Sequence, residues 1–425
     1  MKAAVLISRT PEYRHYAPII EAALARGWEV ECWHDDSQEP IGTKGYQVPS
    51  IDSVPAFRHG RPVVRGYRGH AELRAWLTEG RVDAVLSASP GAAGGPLRTP
   101  RPLWICKQFF IDSFYGSEPD SLLSCDVLAL SSRWWLDWAA GLYEAEGLIA
   151  DRAAYLQAAE SRAAFVGLPD MDAAALVDRE VVRRRWGIPA GQPVVVLFPF
   201  PQGVGRDTFW PKRIAGEPSR VKQLARIVAH RRFEYWPDVR HGWNDRSVVR
   251  ALRRFCDRHG AYLLVKSRRK TPIPPYVEAV ADRCVYDESF YPSTMLEALS
   301  IASLSVSYYS NSVFESAWMG VPHLCVTYTA EDYNGARANY FSRYYTRDEG
   351  GPFQFRGVST AWTIAETIAR LPSTTLADFS MDAAARSRYV EKFLTHDAGD
   401  SGARIVDAVE RAFTRSGRSA VGAPA

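Results

Sequence analysis

No apolar run in this chain approaches the roughly 18–20 residues that span a bilayer. The opening Met-Lys-Ala-Ala-Val-Leu-Ile-Ser is only six apolar or small residues deep before Arg9. It lacks the apolar region and cleavage site of a secretory signal, so it reads as a first strand. Cysteine is scarce and scattered: Cys32, Cys106, Cys125, Cys256, Cys284 and Cys325 stand singly, with no Cys-x-x-Cys and no Cys/His cluster. A disulfide scaffold and a structural zinc clip are thereby unexpected, and a reducing cytoplasm fits best. There is no self-similarity at the 20–50 residue periods of solenoids. What is present is the balance of a soluble globular protein, 46% hydrophobic and 24% charged over 425 residues. At about 100–200 residues per domain, that length suits two domains or three.

The net charge of +4 hides an asymmetry. Between Gln202 and Lys270 stand 18 Lys/Arg against 6 Asp/Glu, which leaves the rest of the chain 8 negative. Solvated basic helix faces would account for this. So would an anion-facing surface for a nucleotide diphosphate, an acidic polymer or an anionic membrane. Trp210, Tyr235, Trp236 and Trp243 lie in the stretch, yet no nucleic-acid motif surrounds them, and nucleic acid is not expected as a partner.

Strand and helix patterns alternate along the chain. Ala3–Ser8 is a short apolar run of the buried parallel type, Tyr13–Arg26 has helical spacing closed by Gly27, and Trp28–Trp33 reads as a second strand. Further strands are expected at Val82–Ser87, Leu103–Lys107 and Val127–Leu130, with helices at Ala71–Leu77 and Trp134–Tyr143. A second block opens with the run Val194–Phe198. It continues through helix Ser247–His259, strand Ala261–Lys266, helix Met295–Ser303, strand Leu304–Tyr308, helix Ser312–Met319 and strand His323–Thr327. Helices at Thr360–Leu371, Met381–Phe393 and Gly402–Phe413 follow. Trp134, Trp135 and Trp138 read as core packing, with Trp134 and Trp138 on one helical face. The expected architecture is α/β, with two doubly wound Rossmann-like domains facing a cleft. Their expected boundaries are 1–175 and 176–395, followed by a C-terminal helix over 396–415 and a frayed tail over 416–425.

In open parallel sheets, ligands bind at the carboxyl ends of strands. The strongest local pattern there is Ser307-Tyr-Tyr-Ser-Asn-Ser-Val-Phe-Glu-Ser-Ala-Trp-Met-Gly-Val-Pro322. A strand ends, Ser310, Asn311 and Ser312 form a polar turn, and a helix begins. Ser312 and Glu315 have the spacing of a capping box. The same turn would offer hydroxyl, amide and backbone N–H donors to a phosphate.

This stretch resembles the donor-nucleotide motif of GT-B fold transferases, in particular the CDP-glycerol glycerophosphotransferase family and its polysaccharide-transferase relatives. Other segments resemble that group in the same order: Phe165-Val-Gly-Leu-Pro-Asp-Met-Asp172, Trp186–Pro199, Glu331-Asp-Tyr333 and Asp397–Ile405. The resemblance covers the second domain well and the first in outline. It implies that Glu315 bonds the donor's ribose hydroxyls and that the Ser310–Ser312 turn holds its phosphates.

Leu263-Leu-Val-Lys-Ser-Arg-Arg-Lys-Thr-Pro272 places Lys266, Ser267 and Arg268 at the end of a buried strand. Where the family usually has Lys-x-His-Pro, Arg268 replaces the His, and an arginine does not exchange a proton. Here the residues would bind phosphate by charge and bidentate geometry. Gly203 and Gly205, in Pro199-Phe-Pro-Gln-Gly-Val-Gly205, could let backbone approach a phosphate, or form a plain loop. For the acid or base, His15 and Asp112 are the candidates, although a helix-surface role for His15 is as natural. Lys107-Gln108 stands where relatives often carry His-Gly.

The resemblance implies a transferase, expected to move a glycosyl or polyol-phosphate group from a nucleotide-activated donor to a cell-envelope polysaccharide or related acceptor. No metal or cofactor is expected, because the cations and the helix end can neutralise a leaving diphosphate. The alternatives are a non-hydrolysing UDP-sugar 2-epimerase and an inactive GT-B-like nucleotide- or anion-binding protein. Peripheral contact with an anionic membrane is left open, since no amphipathic helix stands out.

Overall fold

The computed structural model describes residues 1–36, 49–87, 97, 99, 102–108, 119–199, 217, 219–233, 246–268, 273, 275–286, 289–327 and 344–417. The chain divides into two compact units. The first comprises Met1–Leu176, Ser289–Ser293 and Val390–Ala425; the second comprises Val177–Glu288 and Thr294–Tyr389.

The first unit is built on seven parallel strands: β1 (Lys2–Ile7), β2 (Glu29–Asp35), β3 (Val63–Tyr67), β4 (Ala84–Ser87), β5 (Leu103–Lys107), β6 (Val127–Leu130) and β7 (Ala163–Phe165). Their order is β3-β2-β1-β4-β5-β6-β7. Winding therefore reverses between β1 and β4, a topological switch point. Val5, Ile7, Val30, Ile105 and Val127 pack with Ile19 and Ile20 of helix Tyr13–Ala25 and with Ile405, Val406 and Val409 of helix Ser401–Arg415. The two helices touch closely, because a Cβ on Gly402 would stand 2.6 Å from the Pro18 carbonyl oxygen. Trp135 is buried and donates to the Phe393 carbonyl at 3.2 Å. Trp134 stacks on Trp138 at a centroid distance of 6.4 Å, as their shared face requires.

The second unit carries β8 (Val194–Phe198), β9 (Tyr262–Ser267), β10 (Arg283–Tyr286), β11 (Leu304–Ser307), β12 (His323–Thr327) and β13 (Ser359–Thr363), all parallel, in the order β10-β9-β8-β11-β12-β13. The switch point falls between β8 and β11. All five residues of β8 are buried. Alternate side chains serve opposite faces, as the two-residue period of a strand dictates. Val195 and Leu197 meet Leu252 and Phe255 of helix Arg246–Arg258, whereas Val194 and Val196 meet Trp186, Ile188 and Leu299.

The sequence reading placed a helix over Thr360–Leu371. Its first residues are instead strand β13, and helix Ile364–Arg370 begins at a Thr363–Glu366 capping box. Trp362 and Ala361 satisfy a sheet edge that helical spacing alone did not reveal.

Candidate functional site

In the first unit, the chain leaves β1 at the switch point. The Ser8 backbone N–H and hydroxyl both donate to the Glu12 carboxylate, at 2.8 and 2.6 Å. Burial pushes the Glu12 carboxyl up, against those bonds. One 3-10 turn, Thr10–Glu12, feeds helix Tyr13–Ala25 and sets His15 in its first turn. His15 is not a helix-surface histidine. Its Nδ1 hydrogen-bonds Asp170, which follows β7, and the second Asp170 oxygen takes the Lys107 ammonium at 2.8 Å. Arg14 stands 3.8 Å from the same carboxylate. The side chains of Asp170, Lys107 and His15 are 1%, 3% and 9% exposed.

Burial alone would raise the Asp170 carboxyl, but the positive partners outweigh it and hold it well below the usual carboxylate range. Burial lowers His15 to about 4; Asp170 opposes this, and Lys107 and Arg14 reinforce it. His15 is therefore neutral near pH 7. Because Asp170 can only accept, the imidazole proton lies on Nδ1 and the basic lone pair on Nε2. This is the arrangement of a histidine held in one tautomer by a carboxylate. Asp170 escaped the sequence reading as a site residue, although it lies inside the quoted Val166-Gly-Leu-Pro-Asp-Met-Asp172 segment. Lys107 and Gln108 prove to be supports: Gln108 accepts the Ser131 N–H at 2.8 Å.

Two residues further, Asp172 accepts the Ser401 and Gly402 backbone N–H groups at 3.1 and 2.6 Å, at the start of helix Ser401–Arg415. Burial pushes its carboxyl up to about 7, against those two bonds. Gly167, at φ +84°, leaves room for the Ser401 hydroxyl, which would stand 2.7 Å from a Cβ there. Two segments more than 200 residues apart in sequence are thus one structural joint.

In the second unit, β9 and β11 flank β8, so their carboxyl ends lie about 10 Å apart on one edge of the sheet. Lys266 and Ser267 at the end of β9 are buried, and Arg268 is exposed. After β11, Tyr309 adopts φ +33°, which costs a non-glycine residue energy. It is packed against Tyr345 and Phe353, with ring centroids at 5.0 and 5.1 Å. The expected Ser312–Glu315 capping box is not formed. Helix Ser312–Trp318 starts one residue after Asn311, so Ser312 lies inside the helix, where its side chain is not placed to cap. Ser310 takes the Ser312 N–H instead, at 3.2 Å. The buried Ser312 hydroxyl has no hydrogen-bond partner among the described residues. Asn311 accepts from the Tyr344 hydroxyl at 2.9 Å, an orienting contact the sequence did not signal. Glu315 is buried on the same short helix.

Beneath this turn lies a polar ladder. His323 on β12 meets the Ser305 and Ser307 hydroxyls at 2.7 and 2.9 Å; Ser305 also donates to Ser316, and Ser316 to the Ser312 carbonyl. Burial lowers His323 to about 3, so the ladder is uncharged.

Asp112, Gly203, Gly205 and the Glu331-Asp-Tyr333 segment lie outside the described residues. All six cysteines are free thiols. Among the described residues no group of three His, Cys, Asp or Glu side chains could hold a metal ion, and no helix is long and apolar enough to cross a membrane.

No protein-family model matches the chain, and no curated protein matches it. Solved structures do. The wall teichoic acid polymerase TagF aligns at 11% identity and a TM-score of 0.54, over 99% of this chain and 90% of that one. A UDP-GlcNAc 2-epimerase from Methanocaldococcus jannaschii aligns at 12% and 0.51, over 97% and 100%. The S. aureus MnaA–UDP structure aligns at 12% and 0.53, over 97% of each chain. At these identities the likeness concerns the fold: two Rossmann-like α/β units of the GT-B-like type.

Proposed function

We propose that the protein transfers a glycosyl or polyol-phosphate group from a nucleotide-activated donor to a hydroxyl of a cell-envelope polysaccharide or related acceptor. The observation that carries this reading is His15, kept neutral by burial and held in one tautomer by Asp170 at the switch point of the first sheet. A group transfer to a hydroxyl needs one base for the departing proton. Nε2 of His15 takes that proton, and Asp170 stabilises the imidazolium that forms. Lys107 keeps Asp170 ionised.

On the second unit, Lys266 and Arg268 supply positive charge for the donor's phosphates. The Ser310–Ser312 turn supplies hydroxyl and amide donors, and Glu315 accepts from ribose hydroxyls. Charge developing on the leaving nucleotide is met by these fixed groups. The fold neighbours include a structure with UDP and a TagF structure soaked with CDPG, which supports a nucleotide-activated donor.

Incubation with CDP-glycerol or UDP-sugars tests the reading. Wild type should release free nucleotide in the presence of acceptor, and His15→Gln should lower kcat by about 10²–10⁴-fold while leaving the donor KM unchanged. Conversion of a UDP-sugar to its C2 epimer without nucleotide release would replace the transferase reading by the epimerase one.

A further inference from the structure

Helix Arg220–Ala229 lies in the most basic part of the chain and has two unlike faces. Gln223 and Ile227, four residues apart, point inward; Gln223 donates to the Glu217 carbonyl at 2.6 Å, and Arg226 pairs with Glu217 at 2.9 Å. These contacts tie the helix to the residue that precedes its first turn. On the outer side Val221 is 76% exposed and Val228, seven residues on, is 55% exposed. Seven residues are about two turns, so the two valines share a face. Phe233, just past the helix end, is 57% exposed. Eight large apolar side chains are exposed among the described residues, and three of them fall within these thirteen positions. Such clustering marks an interaction surface, whereas single exposed apolar residues do not.

Charge specifies the partner. From Ser219 to Phe233 there are five Lys/Arg and no acidic residue, and Arg220, Lys222 and Arg231 are exposed around the valines. We propose that this face docks peripherally on an anionic lipid bilayer, with Val221, Val228 and Phe233 at the headgroup–acyl boundary and the cations on lipid phosphates. A soluble polyanion would satisfy the cations but offer nothing to three exposed apolar side chains. The sequence alone did not reveal this face, because its apolar residues are few and are spaced like those of an ordinary buried stripe.

Co-sedimentation of the full chain with vesicles tests the proposal. The protein should bind phosphatidylglycerol/phosphatidylcholine vesicles, bind phosphatidylcholine alone weakly, and lose binding as salt rises. Lys222→Glu/Arg231→Glu should weaken vesicle binding about a hundredfold or more, since each cation is replaced by an anion. Val221→Asp/Val228→Asp should also weaken it at least tenfold, while binding of the soluble protein to polyphosphate is reduced far less. Both pairs are exposed, so unchanged circular dichroism will verify that the variants fold. Equal binding to both vesicle types would overturn the proposal. So would undiminished vesicle binding by the valine variant, which would leave a polyanion-binding patch in its place.

Discussion

Replacing Asp170 by asparagine keeps the side chain's shape but removes the negative charge that both Lys107 and His15 face. Lys107 is then a cation with a side chain only 3% exposed and no counter-charge in that contact. Breaking a buried pair by deleting one partner costs about 3–5 kcal/mol. That is a large part of the roughly 5–15 kcal/mol that stabilises a folded protein. Lys107→Met is expected to cost less, because Asp170 keeps His15, which can take up a proton in response. The double variant Asp170→Asn/Lys107→Met removes both charges together and should cost well under the sum of the two single changes, with a coupling of about 2 kcal/mol or more. Urea unfolding of the four proteins, followed by circular dichroism, measures this cycle. A cost below about 1 kcal/mol for Asp170→Asn, with additive single effects, would refute the claim that this carboxylate is the charge centre of a buried cluster.

Opposite pH dependences are built into the same segment. His15 resists protonation down to about 4, against 6.5 when unfolded, so its contribution to stability rises with pH between these values. Asp172 holds its proton up to about 7, against 3.8 when unfolded, so its contribution falls as pH rises from 4 to 7. Each is worth about 3–4 kcal/mol across its window. Relative to wild type, Asp172→Asn should therefore gain stability as pH rises to 7, and His15→Gln should lose it, as read from melting curves between pH 4 and 7. Gly402→Ala should destabilise by about 1–3 kcal/mol, because its Cβ meets the Pro18 carbonyl at 2.6 Å; chemical denaturation checks this. Tyr344→Phe removes the hydroxyl that orients Asn311 and should raise the donor KM several-fold with kcat little changed, as steady-state kinetics would report.

Much of the fold was legible, and the failures share a cause. Nine of the thirteen strands among the described residues were expected from apolar runs, among them Val194–Phe198 and Leu103–Lys107, whose residues are buried throughout. The four not foreseen, β3, β7, β10 and β13, are the edges of the two sheets. Edge strands are covered on fewer sides and carry polar residues, as in Val63-Val-Arg-Gly-Tyr67, so they lack the continuous hydrophobic signal that a central strand must have. At the candidate site, position was readable and pairing was not. Lys266 and the Ser310–Ser312 turn stand at strand ends, and His15 stands in the first turn of the helix that follows β1. That Asp170 reaches back 155 residues to His15, or that Asp172 caps the last helix, depends on tertiary closure. The Ser312–Glu315 spacing was over-read: the helix began one residue after Asn311, and Ser310 took the capping role. Motif spacing cannot distinguish those two starts.

The measurement that most directly tests the proposed donor site is a thermal-shift series of the purified protein against CMP, CDP, UDP, GDP and the matching activated donors. A nucleotide present at about 100 times its dissociation constant adds about 2.7 kcal/mol of stability, an easily seen rise in melting temperature. One nucleobase series should shift the protein, and the shift should vanish in Lys266→Met, which removes the buried cation at the end of β9. A folded protein that none of these nucleotides stabilises would contradict the donor site and, with it, the transferase.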